Sequence, residues 1–346
     1  MNPRLTRRQL LGAAALAAAA PLAHARPLSH LNPAATPMPN NPLPTAAPSL
    51  RFASTPSLTI AYEHSGPEDG PPILLLHGWP YSPRSYDEVV PALVAAGFRV
   101  IVPYLRGFGA TTYRDASVMR SGEQAALGKD VIDLMDALQL PRAILGGFDW
   151  GNRVAAAAAT LWPEGVRGLV VGSPGYLIVP VLMPADGLLP PGRLEEGWYR
   201  FVLNTTQGQA YLAQHRRSYA RRCWELWSPG WAIPEAFFQA SMAALDNPDW
   251  VATSVHNYRH WYGNAEGDPA LAALAARLQR RPPITAPTIV LETRNDPSWA
   301  PDSAEDRSRF SHHYETRALP GVGHHPPKED PAAFVQALKD VARHAG

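Results

Sequence analysis

Asp149 stands between a strand and a helix in the stretch AILGGFDWGNRVAAAAA, residues 143–159. Gly147 and Gly151 flank it at two residues on either side, the spacing of the tight turn that raises a nucleophile above a sheet. The common form of that turn carries a serine in the middle. An aspartate is already an anion at neutral pH, so it can attack a saturated carbon and leave an ester for water to hydrolyse. Taken alone, Asp149 is equally well explained as a helix cap.

A second acid and a histidine follow Asp149 along the chain. Asp296 comes after the strand TIVLE, and His324 comes after the strand around TRALPGVG. The order nucleophile, acid, histidine is that of a hydrolytic triad built on a parallel sheet. We therefore predict that His324, oriented by Asp296, activates the water. His325 is the alternative base and Asp302 the alternative acid; we favour His324 because it directly follows a glycine.

Two tryptophans could hold the negative charge that develops while the ester is hydrolysed. Trp79, in LLLHGWP, ends an apolar strand that lies one strand–helix–strand unit before Asp149, and Trp150 directly follows Asp149. Their backbone N–H groups are expected to face the nucleophile together, which is the geometry of an oxyanion hole.

The elements that position these residues are short apolar strands alternating with helices. Nearly continuous apolar runs indicate a mostly parallel sheet covered on both faces; the runs are PPILLLHG, FRVIVPYLRG, RAILGG, GLVVGSP and PTIVLETRND. From about Tyr176 to Pro283 the chain is rich in Trp, Tyr and Pro, with helical patches and no clear strand. We predict one α/β core, residues 50–175 and 285–346, with residues 176–284 inserted as a helical cap.

The composition narrows the classes of partner. A net charge of +1 over 346 residues, with scattered Lys and Arg, predicts no nucleic-acid partner and no polybasic membrane contact. Because Cys223 is the only cysteine, intrachain disulfides and multi-cysteine metal sites are excluded. Cys223 itself is expected to be buried or incidental. We expect no cofactor and no metal; the oligomeric state stays open.

The first residues indicate export. Residues 1–25 contain paired arginines, Arg7 and Arg8, an apolar run over residues 10–20 and a small-x-small end, as in a twin-arginine signal peptide. The apolar run is about half the length of a spanning helix, which argues against a membrane anchor. Residues 26–49 are proline-rich and almost uncharged, so we predict a disordered tether. The mature protein is expected in the periplasm, without stable membrane insertion.

Taken together, the turn, the oxyanion strand and the histidine motif resemble the α/β-hydrolase superfamily, in its aspartate-nucleophile branch of epoxide hydrolases and haloalkane dehalogenases. The resemblance extends from Leu50 to Gly346. It implies an α/β-hydrolase fold in which Asp149 is the nucleophile, His324 the base and Asp296 its orienting acid. This chain departs from the branch at Asn152, where glycine or alanine is usual, and in LETRND, which lacks the usual glycine before the acid.

The same resemblance suggests the leaving group. Epoxide hydrolases of the branch donate protons from two cap tyrosines, and Tyr199 in GWYRFVLN and Tyr258 in SVHNYRHWYG stand at the matching places. The implied reaction converts an epoxide to a vicinal diol, on a small apolar organic substrate and with water. Trp79 in HGWP and the stretch RGFGAT also fit epoxide hydrolases.

Two other functions remain open. A haloalkane dehalogenase would hold the halide with the indole of Trp150 and a second donor, such as Trp198 or Trp261. Fluoroacetate dehalogenases, similar in fold, place an arginine directly after the aspartate, and Trp150 argues against that chemistry. The alternative of another class is a non-catalytic ligand-binding protein on a hydrolase scaffold.

Overall fold

A computed structural model of the chain describes residues 49–172, 191–298 and 307–345. All of them fall within one compact unit, Pro44–Gly346. The predicted signal peptide, and the predicted tether except for its last residue, lie outside the described residues, as does Asp302.

One mixed sheet of nine strands organises the described residues. Its order is β1-β2-β4-β3-β6-β7-β8-β9, with β5 paired to β2. The strands β3, β4, β6, β7, β8 and β9 pair in parallel, whereas β2 runs antiparallel to β1, β4 and β5. The bounds are β1 Leu50–Ser54, β2 Leu58–Ser65, β3 Pro72–Leu76, β4 Arg99–Pro103, β5 Thr112–Tyr113, β6 Ala143–Phe148, β7 Val166–Gly172, β8 Thr288–Thr293 and β9 Tyr314–Leu319.

The central strands carry the site at their carboxyl ends. Strand β3 has β4 on one side and β6 on the other, so the order of the parallel strands reverses at β3. Ligand sites of open α/β sheets lie at such a reversal. All six residues of β6 are buried, as expected for an apolar strand covered on both faces. Because Leu76 is paired with Gly147, the segment after β3 emerges beside the turn after β6.

Helices cover the sheet. They are α1 Val90–Ala95, α2 Gln124–Ala137, α3 Trp150–Leu161, and, after β9, α10 Pro326–Glu329 and α11 Pro331–His344. Every residue of α3 is buried, because this helix packs against β3, β6 and β7 on one side and against α2 on the other. Its alanine run provides the small side chains that such close packing on two sides requires. The fold is therefore the α/β-hydrolase fold that the sequence predicts.

Between β7 and β8, the described residues form six further α-helices. They are α4 Pro191–Val202, α5 Thr206–Gln214, α6 Arg216–Trp227, α7 Glu235–Met242, α8 Trp250–Trp261 and α9 Ala272–Gln279. We call α4 to α8 the helical insertion. Helix α9 lies inside the predicted cap boundaries but packs against α2 and α3, where Leu278 forms a small buried cluster with Ala157 and Leu161. None of the helices in the described ranges is long and apolar enough to span a bilayer.

Candidate active site

The turn after β6 holds Asp149 in a backbone conformation that side chains rarely adopt. Its φ and ψ are 51° and −119°, and α3 begins at the next residue. Such a conformation costs on the order of 1–3 kcal/mol, so the surroundings must impose it. A Cβ at Gly151 would lie 1.8 Å from the carbonyl oxygen of Leu76, and one at Gly147 would lie 2.4 Å from the backbone of Gly151. The two glycines are therefore needed because β3, β6 and α3 approach so closely.

The Asp149 carboxylate is buried and has different neighbours on its two oxygens. Oδ1 accepts a hydrogen bond of 2.7 Å from the backbone N–H of Trp79. Oδ2 lies 3.3 Å from Nε2 of His324 and 3.9 Å from Nη2 of Arg153. Burial alone would raise the pKa of Asp149, but the hydrogen bond and charge of His324, the charge of Arg153 and the Trp79 N–H together hold it below the usual value. Asp149 is therefore an anion at neutral pH.

His324 lies between two carboxylates. Its Nδ1 is 2.7 Å from Oδ2 of Asp296, and its Nε2 faces Asp149. Burial would lower the pKa of His324, yet the charges of Asp296 and Asp149 and the hydrogen bonds to both raise it to about 9. The imidazole is therefore protonated in the resting enzyme at neutral pH. Asp296 is fixed in turn by Ser298, whose N–H and Oγ both donate to its Oδ1.

The loop that carries His324 is tied to the helical insertion by Ser228 and Glu329. Ser228, at the end of α6, accepts a hydrogen bond from the His324 N–H and donates one of 2.7 Å to Glu329. The Glu329 carboxylate also accepts from the backbone N–H groups of Gly323 and His325. Through these contacts, Ser228 and Glu329 fix the position of the His324 backbone.

His325, the alternative base, belongs to a different environment. Its ring packs 4.8 Å from that of Phe148 and 4.4 Å from that of Tyr81, and neither ring nitrogen has a hydrogen-bond partner among the described residues. Burial holds the pKa of His325 well below its usual value. The structure thus places His324, and not His325, against Asp149.

Cys223 is fully buried, and burial raises the pKa of its thiol well above the usual value.

Tyr199 and Tyr258 converge from the helical insertion. Their rings lie 5.4 Å apart at 90°, and the ring of Trp79 lies 5.7 Å from Tyr199 and 5.0 Å from Tyr258. The Tyr199 hydroxyl accepts from Nε of Arg200 at 2.9 Å, and the Tyr258 hydroxyl accepts from the indole Nε1 of Trp150 at 3.2 Å. Burial raises the pKa of both tyrosines, so both hydroxyls are protonated at neutral pH.

The two tryptophans of the predicted oxyanion hole make different contacts. Trp79 donates its backbone N–H to Asp149 and its indole Nε1 to Oγ of Ser254 on α8, at 2.8 Å. Trp150 contacts the site through its indole, which donates to the Tyr258 hydroxyl. Among the described residues, its backbone N–H makes no hydrogen bond to Asp149. The role of the Trp150 N–H therefore stays a prediction.

Two arginines beside the site were not selected from the sequence. Arg153 follows Asp149 by one turn of α3 and is 5% exposed, although arginines are rarely so buried. Its guanidinium lies over the ring of Trp261 at 4.4 Å, and that of Arg200 lies over the same ring at 4.8 Å. For Arg153, the available signal was a single charged residue in a helix that starts directly after Asp149. Within the described residues, no group of three or more His, Cys, Asp and Glu is arranged to hold a metal ion.

Comparisons with known proteins agree with this geometry. Residues 73–337 match the model of the alpha/beta hydrolase family. A structure from Klebsiella pneumoniae, of a protein provisionally named an epoxide hydrolase, is 44% identical with a TM-score of 0.81, and the match covers 85% of this chain and 97% of that one.

Two curated relatives match over shorter segments. A haloalkane dehalogenase of Mycobacterium marinum is 36% identical over 127 residues, which are 36% of this chain and 40% of that protein. Epoxide hydrolase B of Mycobacterium tuberculosis is 38% identical over 104 residues, 30% of this chain and 28% of that protein. The chain thus spans less than half the length of each. The match over residues 73–337 shows that the chain belongs to the alpha/beta hydrolase family.

Proposed function

We propose that this enzyme hydrolyses epoxides to vicinal diols through a covalent ester on Asp149. One observation carries the proposal: Trp79, whose N–H binds the buried carboxylate of Asp149, packs against two buried tyrosines whose hydroxyl oxygens already accept hydrogen bonds. Among the described residues, neither Tyr199 nor Tyr258 donates its own hydroxyl hydrogen to a protein group. Both hydrogens are therefore available to a ligand. An epoxide leaves as a basic alkoxide and needs such an uncharged acid.

In the first step, Oδ2 of Asp149 attacks an epoxide carbon and the ring C–O bond breaks. The Trp79 N–H holds Oδ1, which leaves Oδ2 as the attacking oxygen and Oδ1 as the carbonyl oxygen of the ester. The electron pair of the broken bond goes to the epoxide oxygen, which takes a proton from Tyr258 or Tyr199. The N–H donors to the two phenol oxygens stabilise the tyrosinate that forms.

In the second step, the ester changes the basicity of His324. Ester formation removes the negative charge of Asp149, which is one of the causes of the raised pKa of His324. Its pKa then falls, and the imidazole can give up its proton through solvent to the tyrosinate, which restores the tyrosine. The neutral imidazole can then accept a proton from water. The water oxygen attacks Cγ of Asp149, and the Trp79 N–H stabilises the oxyanion on Oδ1.

The intermediate collapses with cleavage of the Cγ–Oδ2 bond. The proton held by His324 goes to the departing oxygen of the diol. The second proton of the water leaves the regenerated carboxyl group and returns to His324, which is again protonated. One diol oxygen thus comes from the epoxide and the other from Asp149, and the water oxygen stays in the enzyme.

Haloalkane dehalogenation by the same machinery is the second candidate, and the similarity to the M. marinum enzyme supports it. A halide needs neutral N–H donors in an apolar pocket. The indole of Trp150 donates to Tyr258, and that of Trp79 donates to Ser254. Because the indole of Trp150 already donates to Tyr258, the observations favour an epoxide over a halide.

The first test is an initial-rate panel of epoxides and bromoalkanes with matched carbon skeletons, on residues 26–346, with D149A as the control. Diol formation that disappears in D149A is the expected result. Bromide release without diol formation would instead establish the dehalogenase. A single turnover in ¹⁸O-labelled water tests the ester: the label should enter Asp149 first, and label in the first diol would contradict the covalent mechanism.

We also propose that residues 1–25 direct export through the twin-arginine route. Arg7 and Arg8 support this proposal. Replacing both by lysine should retain the uncleaved precursor inside the cell; a mature, exported variant would contradict it.

A further inference from the structure

Two guanidinium groups beside the nucleophile have no part in the proposed ring opening or ester hydrolysis beyond the contact of Arg200 with Tyr199. Arg153 comes from the core helix α3, and Arg200 comes from α4 of the helical insertion. They approach the same indole, that of Trp261, at 4.4 and 4.8 Å. Core and insertion therefore each place one cation against the same indole.

Arg153 is buried without a full set of partners. Its Nη2 lies 3.9 Å from Oδ2 of Asp149, which is longer than a hydrogen bond, and its Nε has no hydrogen-bond partner in the described part of the chain. A guanidinium has five N–H donors, and a buried one left unpaired is costly. The stack on Trp261 offsets only part of that cost. Arg153 is thus a buried donor set with capacity for an anion.

The charges around the nucleophile leave a positive excess. Asp296 is paired with the protonated His324, while Asp149 alone faces His324, Arg153 and, beyond them, Arg200. Among the described residues, two anions thus stand against three cations around Asp149. Ester formation removes the charge of Asp149, and the excess of positive charge then grows by one. An anionic group on the substrate would offset the excess positive charge both before and after ester formation.

We propose that Arg153, assisted by Arg200, binds a carboxylate on the substrate, so that the substrate class is epoxides carrying a carboxylate next to the ring. This inference rests on the proposed epoxide hydrolysis. It replaces the expected small apolar substrate by an anionic one. Arginine is suited to this role because its planar fork matches the two oxygens of a carboxylate.

The arrangement also explains how the Asp149 carboxylate can attack a carbon that lies next to the substrate carboxylate. Arg153 lies close to Oδ2 of Asp149, so a carboxylate held on its free N–H groups is screened from the nucleophile by the guanidinium between them. Once Asp149 becomes an ester, Arg153 binds the substrate carboxylate alone. When hydrolysis restores the Asp149 anion, the two carboxylates compete again for Arg153, which favours release of the product.

The turnover test compares trans-2,3-epoxybutanoate with its neutral amide in wild type, D149A, R153M and R153K. In wild type, kcat/KM should be about 100-fold higher for the carboxylate than for the amide. R153M should lower that ratio by about 30-fold or more, whereas R153K should keep part of it because the charge remains. R222M, which removes an arginine whose side chain is 60% exposed on α6, is the matched control and should keep the wild-type ratio.

A binding test does not depend on turnover. Tryptophan fluorescence, titrated with butanoate and with butanamide, should report butanoate binding in wild type and in R222M and its loss in R153M. D149A should bind butanoate more tightly than wild type, because the competing carboxylate is gone. If Arg153 served only to hold Asp149, its removal in the D149A background would not change butanoate binding.

The outcomes separate this inference from the function on which it rests. Hydrolysis that depends on Asp149 but shows no preference for the carboxylate would overturn the anion site and leave the epoxide hydrolase intact. Absence of hydrolysis, with butanoate binding that depends on Arg153, would overturn the epoxide hydrolase and retain the anion site. Equal butanoate binding by wild type and by a folded R153M or R153K variant would overturn the anion site.

Discussion

The two walls of the site carry different kinds of groups. The core wall, on the loops after β6, β8 and β9, supplies the ionised residues Asp149, Asp296 and His324, and His324 contacts both carboxylates. The opposite wall, on α4 and α8 of the helical insertion, supplies the neutral hydroxyls of Tyr199 and Tyr258. Ionised side chains need fixed hydrogen-bond partners at short range, and the loops at the carboxyl ends of the strands provide them. The difference suggests that the core wall performs ester hydrolysis and that the insertion wall supports ring opening.

The largest expected effect comes from removing the base on the core wall. In H324Q, Asp149 still attacks but no imidazole accepts a proton from water, so we expect steady-state turnover to fall by about 10³- to 10⁴-fold. The ester should accumulate to one equivalent per active site, detected by mass spectrometry on the peptide that contains Asp149. A variant that neither turns over nor accumulates ester would show that His324 is also needed for ring opening.

The insertion wall should give the opposite kinetic signature. Without either phenol proton, the Y199F/Y258F double variant should form the ester about 10³-fold more slowly, while hydrolysis of ester already formed changes little. Rapid-quench measurement of ester and diol separates the two steps. Y219F is a matched control, because Tyr219 is a buried tyrosine of α6 whose hydroxyl donates to the backbone oxygen of Tyr199. Slow ester hydrolysis in the double variant would contradict the assignment of the insertion wall to ring opening alone.

A third prediction concerns the charges of the core wall. The pKa of His324 is about 9 in the folded protein against an ordinary value of 6.5. A raised pKa stabilises the fold fully below pH 6.5, and that contribution is lost as the pH rises through about 9. The free energy of unfolding should therefore fall across this window by up to about 3 kcal/mol. Denaturant titrations at several pH values measure the fall, which should be absent in H324Q; an equal fall in both proteins would contradict the assignment to His324.

The core wall was largely predictable from the sequence, because it depends on local patterns. The glycine spacing around Asp149 reflects contacts with Leu76 and within the turn itself, and the order of Asp149, Asp296 and His324 follows from the order of parallel strands. The sequence favours His324 over His325 because it directly follows a glycine, and in the structure His324 faces Asp149 while His325 packs into an aromatic cluster. Short-range geometry and strand order are properties that a single sequence carries.

The contacts between distant parts of the chain were less predictable. Arg153 reads as one charged residue in an alanine helix, and its burial beside Asp149 and under Trp261 is visible only in the structure. Helix α9 has the composition of the insertion, yet its single buried face lies on α2 and α3. Ser228 is separated from His324 by 96 residues, and no pattern in the sequence links the two.

The smallest predicted effect tests whether the division between the walls is complete. Ser228 ends helix α6 of the insertion, yet it holds the His324 N–H and the Glu329 carboxylate. In S228A both hydrogen bonds are lost, so the imidazole should be held less firmly between Asp149 and Asp296, and ester hydrolysis should slow by about 10-fold. Ring opening should be unaffected, because both tyrosines stay in place. S218A, an exposed serine on the same helix, is the matched control. If S228A slows ring opening as well, the insertion acts on both steps, and the two walls do not divide the chemistry between them.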